Sequence, residues 1–417
     1  MERWVDAAQR RQKMLRDLLA QIRSIEGFED FLKPTTFEEV LASATDTPLV
    51  YLTPGPTCGF ALIVFRGGVF HVVLPLLERR GFTKEATAYL SAYQAFRDGD
   101  STWGEWSEQI ERTAKWLGIA LGRSLVDQLP AGGPLHIIAC GGLDGLPIHA
   151  AYLEGEASDR HFLFDSYAIS FLPNARALIS VRNRSGILSE SMLVVAAQGR
   201  GTHPMPAALQ EAQGIASLFS KSRLLTEGEA TSENVIRGLR EAGVAHFATH
   251  GEAHLSNPLA SRLILDGGHY ITLEDILRLR VQMRLVVLSS CETYIAGGPV
   301  LDEVVSLPSG LVQAGVSGVV SSMWKVPDVA TSVFMARFYA FWTRESLEPA
   351  NALSRARIWM RDTRAVEKVD WLQSAAQMEG SPRHWLTFLS DSYAESGYQP
   401  NERSLMADWA PFVFFGI

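Results

Sequence analysis

Val244-Ala245-His246-Phe247-Ala248-Thr249 runs into His250-Gly251, and Leu285-Val286-Val287-Leu288-Ser289-Ser290 runs into Cys291-Glu292-Thr293. Each is a short, nearly continuous apolar run with β-branched residues, the pattern of a strand buried on both faces. A helical stretch, Leu273–Leu279, lies between them, with Thr272 and Asp275 at capping-box spacing. Two buried strands joined by one helix are expected side by side and parallel. In such a sheet the reacting groups tend to lie beyond the carboxyl ends of the strands. The pattern therefore brings an imidazole, His250, and a thiol, Cys291, to one rim. Histidine raises the thiolate fraction of a neighbouring cysteine and returns the proton to a leaving amine. Gly251 removes a Cβ where a substrate carbonyl has to approach a backbone N–H, which makes it a candidate half of an oxyanion hole.

Outward from this pair the same grammar repeats. Leu135–Ala139, Met192–Ala197 and Gly318–Met323 read as strands, with helical segments at Glu211–Phe219 and Asn234–Ala242. The alternation implies an α/β fold, a mostly parallel sheet with helices on both faces. Upstream, Leu49–Leu52, Phe60–Phe65 and Val69–Leu74 read as strands, the last two joined as a hairpin across Gly67-Gly68. Helices are expected at Thr83–Phe96 and Trp106–Leu129. Before them, Val5, Ala8, Leu15, Leu18, Leu19 and Ile22 give an amphipathic helix. Its stripe must cover the body or a helical array ahead of it. Thr36 and Glu39 start a second helix through Leu41. The expected organisation is a helical lead-in over 1–45 and a catalytic domain over 46–417, in which 46–130 supplies the hairpin and helices. The polar stretch Glu379–Ser404 reads as surface loop around one apolar piece, His384–Leu389, and is expected to cover or shape the cleft.

Composition narrows the function classes. The 417 residues are 47% apolar and 20% charged, ordinary for a globular chain. A net charge of -8 argues against nucleic acid as the main partner. No run is apolar over the roughly 18 residues needed to cross a bilayer, and Glu2 and Asp6 break any signal pattern, so a cytoplasmic protein is expected. Three widely spaced cysteines, Cys58, Cys140 and Cys291, are too few for a disulfide framework. A lone cysteine at a strand end is most often a buried thiol, and Cys140 is read that way. A lone histidine there is as readily a hydrogen-bonded rim residue. It is the His250–Cys291 pair, at adjacent strand ends, that points to catalysis. No metal is expected: His250 and His254 flank Glu252 at helical spacing, but this is H-G-E-A-H, and the strand and Gly251 argue against a helix. Ser322-Met323-Trp324-Lys325 matches S-x-x-K without its partner motifs. No phosphate loop is visible, so no cofactor is expected and nucleotide sensing has little support.

These residues resemble the CHAT-domain family of caspase-like proteases, often fused to TPR repeats. The order and the separation of about 40 residues between His250 and Cys291 are similar to those of caspases. Val244–Gly251 resembles the family's histidine strand, and Leu288–Thr293 its cysteine motif. Asp302-Glu303 through Leu307, with Leu311–Val316, resembles the following helix. Val319–Asp328, the helix reaching Phe338-Tyr339, Leu143–Pro147, Leu172–Ala175 and the closing Asp408–Phe412 also match. The likeness covers 46–417; the amino-terminal helices resemble the end of a TPR region. It implies a caspase-like fold, a His250/Cys291 dyad and an oxyanion hole from the N–H groups of Gly251 and Cys291. It also implies a protein substrate, a protein activator and a role in defence or cell death. Met323–Asp328 resembles the separase segment whose last Asp binds a P1 arginine, so Asp328 is a candidate for selecting a basic P1 residue. Asp328 at the start of a helical run also fits an N-cap. Trp324 fits either the same pocket or the core. The competing function is a catalytically silent CHAT module that binds a partner as a scaffold.

Overall fold

The computed structural model describes residues 2–25, 33–154, 161–182, 189–198, 205–252, 254, 257–289 and 306–417. The strands are β1 (Leu49–Thr53), β2 (Gly59–Phe65), β3 (Gly68–Leu74), β4 (Gly133–Ala139), β5 (Tyr152–Glu154), β6 (His161–Phe162), β7 (Tyr167–Phe171) and β8 (Met192–Ala197). They continue as β9 (Ser222–Leu225), β10 (Val244–Thr249), β11 (Gly251–Glu252), β12 (Arg262–Ile264), β13 (Tyr270–Thr272), β14 (Met283–Leu288), β15 (Val316–Ser322) and β16 (Phe412–Gly416). Eleven of them form one sheet in the order β3-β2-β1-β4-β7-β16-β15-β14-β10-β8-β9. β11, β12 and β13 make a small antiparallel sheet that follows β10 directly.

The runs read as strands fold as strands, and their burial follows the expected logic. Every residue of β7, β8, β10 and β16 is buried, because both faces of the sheet centre are covered. The hairpin β2–β3 sits at the sheet edge, and Phe60, Leu62, Phe70 and Val73 on it remain exposed. The sheet is mostly parallel, but its two halves oppose each other. β1, β4, β7 and β16 run one way; β15 pairs antiparallel with β16 and leads the parallel set β15, β14, β10, β8 and β9. The carboxyl end of β4, and with it Cys140, therefore lies on the rim opposite the carboxyl end of β10.

Glu379–Ser404 departs from its reading as loop. Arg383–Glu395 is a helix with Trp385, Leu386, Leu389 and Tyr393 buried. It packs with the helices Pro206–Ser217 and Asp328–Tyr339. Gly214 makes the approach possible: a Cβ there would stand 2.3 Å from the Trp385 ring. This helix packs over helices that cover the sheet and buries its own apolar face there, so the stretch belongs to the core. Leu143–Pro147, likened to one of the family's first sheet segments, opens with a 3-10 turn, Leu143–Gly145, and a second, Ile148–Ala150, follows it after β4.

At the amino terminus, Phe37–Ser43 forms the expected capped helix, with Thr36 and Glu39 bonding reciprocally. It is tied to the body where Arg182 donates to Ser43 O at 2.7 Å. The helix Glu2–Arg23 forms too, but Met14, Leu15 and Leu18 on it stay more than half exposed.

Candidate active site

Beyond the carboxyl ends of β10, β14 and β15 lies a cleft of about 460 Å³. His250, the residue after β10, is half-buried in its wall beside Gly251. The His250 backbone is held on its far side by the small sheet, where the Ile264 N–H donates to His250 O at 2.8 Å. The imidazole thus rises from a backbone fixed on both flanks: β10 pairs with β8 as far as Thr249, and Gly251 pairs with Leu263 in β12.

β14 leaves the sheet next to β10. Phe247 pairs with Leu288, and Ser289 continues the contact, giving both its N–H and its hydroxyl to Phe247 O at 3.1 Å. Ser289 lines the cleft, a placement the sequence reading did not assign. Cys291, two residues further along, lies outside the described residues, as do Asp302 and Glu303. The helix expected after them is present as Leu307–Ala314, capped by Ser306.

Asp328 stands on the cleft wall in the first turn of the helix Asp328–Tyr339. It does not cap that helix. Its Oδ2 accepts the Ala207 N–H at 2.7 Å, at the start of the helix Pro206–Ser217. Burial pushes its pKa up to about 6; the Ala207 hydrogen bond works against this, and the nearby charge of Glu211 adds to it. Glu211, one turn beyond Ala207, also lines the cleft but is only 2% exposed. Its Oε1 lies 2.9 Å from His246 Nε2, and His246 Nδ1 is 3.1 Å from the Tyr339 hydroxyl. Two carboxylates from two helices therefore converge on one wall. Glu211 escaped the sequence reading because one acidic residue on a helix ordinarily marks a solvated face; its partner, His246, was read only as part of an apolar strand.

Trp324 takes the core place of its two readings. It is fully buried, its Nε1 donates to Ala407 O at 3.0 Å, and it meets Trp106 edge-on at 5.8 Å. It does not line the cleft, whose aromatic wall comes instead from Phe96 and Trp103 on the two helices before β4. Glu252 is engaged by Arg262 at 2.7 Å, and His254 Nδ1 accepts the Asn257 N–H. Among the described residues no group of three or more His, Cys, Asp or Glu is placed to hold a metal ion. No helix described is long and apolar enough to cross a membrane.

The sequence model of the CHAT domain matches residues 111–417, well over half of the chain. The chain belongs to the CHAT-domain family. The match begins at Glu111, within the helix Trp103–Val126, later than the 46–417 likeness read from the sequence. Tetratricopeptide repeat protein 28 from mouse is 27% identical over 246 residues, covering 46% of this CHAT protein and 10% of the mouse chain. The human protein of the same name is 26% identical over the same length. The chain thus spans about a tenth of the length of these curated relatives. The fold is similar to part of that seen in two crystal structures of the Saccharomyces cerevisiae separase–securin complex. Each has a TM-score of 0.57 at 11% identity over 91% of this chain, and 30% or 31% of theirs.

Proposed function

We propose that this CHAT domain is a cysteine endopeptidase in which His250 and Cys291 act as base and nucleophile on a protein partner. His250 takes the Cys291 thiol proton, the thiolate attacks the scissile carbonyl, and the imidazolium protonates the leaving amine. Water then hydrolyses the thioester, with His250 again as base. The N–H groups of Gly251 and Cys291 are assigned to the oxyanion. Asp328 is assigned to the P1 side chain and selects arginine or lysine by a charge-assisted hydrogen bond. The observation that carries this reading is the shared cleft. One wall holds His250 at the end of β10, the neighbouring wall holds Asp328, and β14, the strand before Cys291, leaves the sheet between β10 and β15. Family membership supports it further. The partner protein, an activator and a place in defence or cell death are parts of the same proposal.

Covalent labelling tests it. Peptidyl acyloxymethyl ketones with Arg, Lys, Leu or Asp at P1 are offered to the wild type, Cys291→Ala and His250→Ala, with and without cell extract. The labelled residue is identified by mass spectrometry. The expected result is Arg- or Lys-probe adducts on Cys291, absent in both variants. Labelling by another probe keeps the protease and removes Asp328 from specificity. No labelling under any condition replaces the protease with a binding scaffold.

A further inference from the structure

The helix Asp328–Tyr339 leads away from the cleft and continues into a π turn, Ala340–Arg344. At that far end lies a second, separate cavity of about 340 Å³. Its volume falls at the low end of small-ligand sites, room for a body of about one ring. π turns recur at functional sites, and this one places Thr343 and Arg344 in the wall. Opposite stand apolar side chains, among them Trp371, Trp385 and Leu386.

The charged groups in this cavity do not satisfy one another. The Arg337 guanidinium is sandwiched among aromatic rings, 3.9 Å from the Phe341 centroid and 4.7 Å from that of Trp371. Its Nε is buried and has no hydrogen-bond partner among the described residues. Glu345 approaches another of its nitrogens only to 3.9 Å, and that carboxylate is half exposed. Arg344, exposed at the mouth, has the Met378 thioether at 3.2 Å, a weak acceptor. Burial holds Arg337 below its ordinary pKa; the Glu345 charge works against this, and the neighbouring Arg355 charge adds to it. An arginine in proteins nevertheless stays charged, so a desolvated guanidinium with an idle donor is relieved by an anion. Arg337 and Arg344 in the wall, with Arg355 beside Arg337, face one glutamate and leave positive charge in surplus. A surplus of positive charge beside a largely apolar wall suits an anion with an apolar body.

We propose that this cavity binds an apolar carboxylate, its carboxylate paired with Arg337 at the inner end and steered by Arg344 at the mouth. Trp371 and Trp385 line the wall beside its apolar part. The same chemistry is offered by a free acid and by the carboxy-terminal residue of a peptide.

Titration calorimetry and ligand-observed NMR on the full chain test the site, using 3-phenylpropanoate, a tripeptide ending in Phe, and the carboxamide of each. The carboxylates are expected to bind at least about tenfold more tightly than the amides, since a charge-assisted bond is lost. Binding of the tripeptide alone assigns a peptide terminus; binding of both assigns any apolar acid. Arg337→Gln should abolish binding and Arg344→Gln weaken it severalfold. Ala375→Leu, which places extra atoms in the cavity, should block it. Circular dichroism checks that each variant folds, and the last two decide the matter if Arg337→Gln does not. Equal affinity for acids and amides, no binding at millimolar concentration, or affinity unchanged in both Arg344→Gln and Ala375→Leu would overturn the site.

Discussion

The carboxylate of Asp328 accepts the Ala207 amide proton at 2.7 Å, and the two residues open different helices. A group at the start of a helix ordinarily stabilises its own N–H donors; here the carboxylate serves the neighbour and faces the cleft. The bond uses one oxygen atom and fixes the side chain, leaving the charge to act on whatever occupies the cleft.

Asp328→Asn separates these two functions. The amide oxygen can keep the Ala207 hydrogen bond while the negative charge is lost. Under the proposed specificity, kcat/KM for substrates with P1 arginine falls about ten- to a hundredfold, the loss of a charge-assisted hydrogen bond of about 1.5–3 kcal/mol. Peptides with uncharged P1 residues change little. Paired kinetics on an Arg and a Leu peptide check this, and an unchanged Arg-to-Leu ratio would remove Asp328 from the pocket.

The raised pKa of Asp328 also sets a pH dependence. Its value of about 6 lies above the ordinary 3.8, so between those values the folded chain holds a proton that the unfolded chain has released. Stability from this group is therefore greatest at low pH and is lost as pH rises through about 6. Asp328→Asn removes that loss, and its melting temperature relative to wild type should rise with pH up to about 6 and level off above that. Selectivity runs the other way. Preference for P1 arginine should decline below about pH 6 in the wild type and be flat in the variant. Thermal melts and the Arg-to-Leu kinetic ratio across pH 4.5–8 measure both.

How much of this was legible in the sequence depended on how local the signal was. β8 and β10 were readable because both faces are buried and the residues are continuously or nearly continuously apolar, a property of the strand alone. The capping boxes at Thr36 and Thr272 were readable for the same reason. His250 and Asp328 could be nominated, and the structure puts both on one cleft. The reversal between β15 and β16 was not legible, because strand direction is set by how the chain returns from the helices Pro349–Asp362, Ala365–Ala376 and Arg383–Glu395. The last of these hid in a polar stretch, although Trp385, Leu386, Leu389 and Tyr393 fall on one helical face. Glu211 is meaningful only through His246 and Asp328, neighbours that the fold alone supplies.

Gly214 tests whether the Arg383–Glu395 helix belongs to the core. Its absent Cβ leaves room for the Trp385 ring, so Gly214→Ala places a carbon 2.3 Å from an aromatic atom. Despite the better helix propensity of alanine, the variant should lose about 1–3 kcal/mol through overpacking. A chemical denaturation curve measures it. A neutral or stabilising result would mean that Trp385 moves aside freely, and the tight packing assigned to this helix would be wrong.

The buried pair Glu211–His246 makes the last prediction. At 2% and 0% exposure neither side chain has water to fall back on, and the 2.9 Å contact is matched on the other imidazole nitrogen by Tyr339. His246→Phe removes both contacts and leaves the Glu211 carboxylate buried without its partner, a change of about 3–5 kcal/mol for a broken buried pair. Glu211→Gln retains a hydrogen-bonding side chain and should cost less. Because the damage in His246→Phe is the stranded carboxylate, adding Glu211→Gln to it should recover part of the loss. The double-mutant cycle should then show a coupling of about 0.5–3 kcal/mol. Additive effects in denaturant melts would mean that the two side chains contribute independently. Their contact would then play no part in holding the Pro206–Ser217 helix, and with it Ala207 and Asp328, against the end of β10.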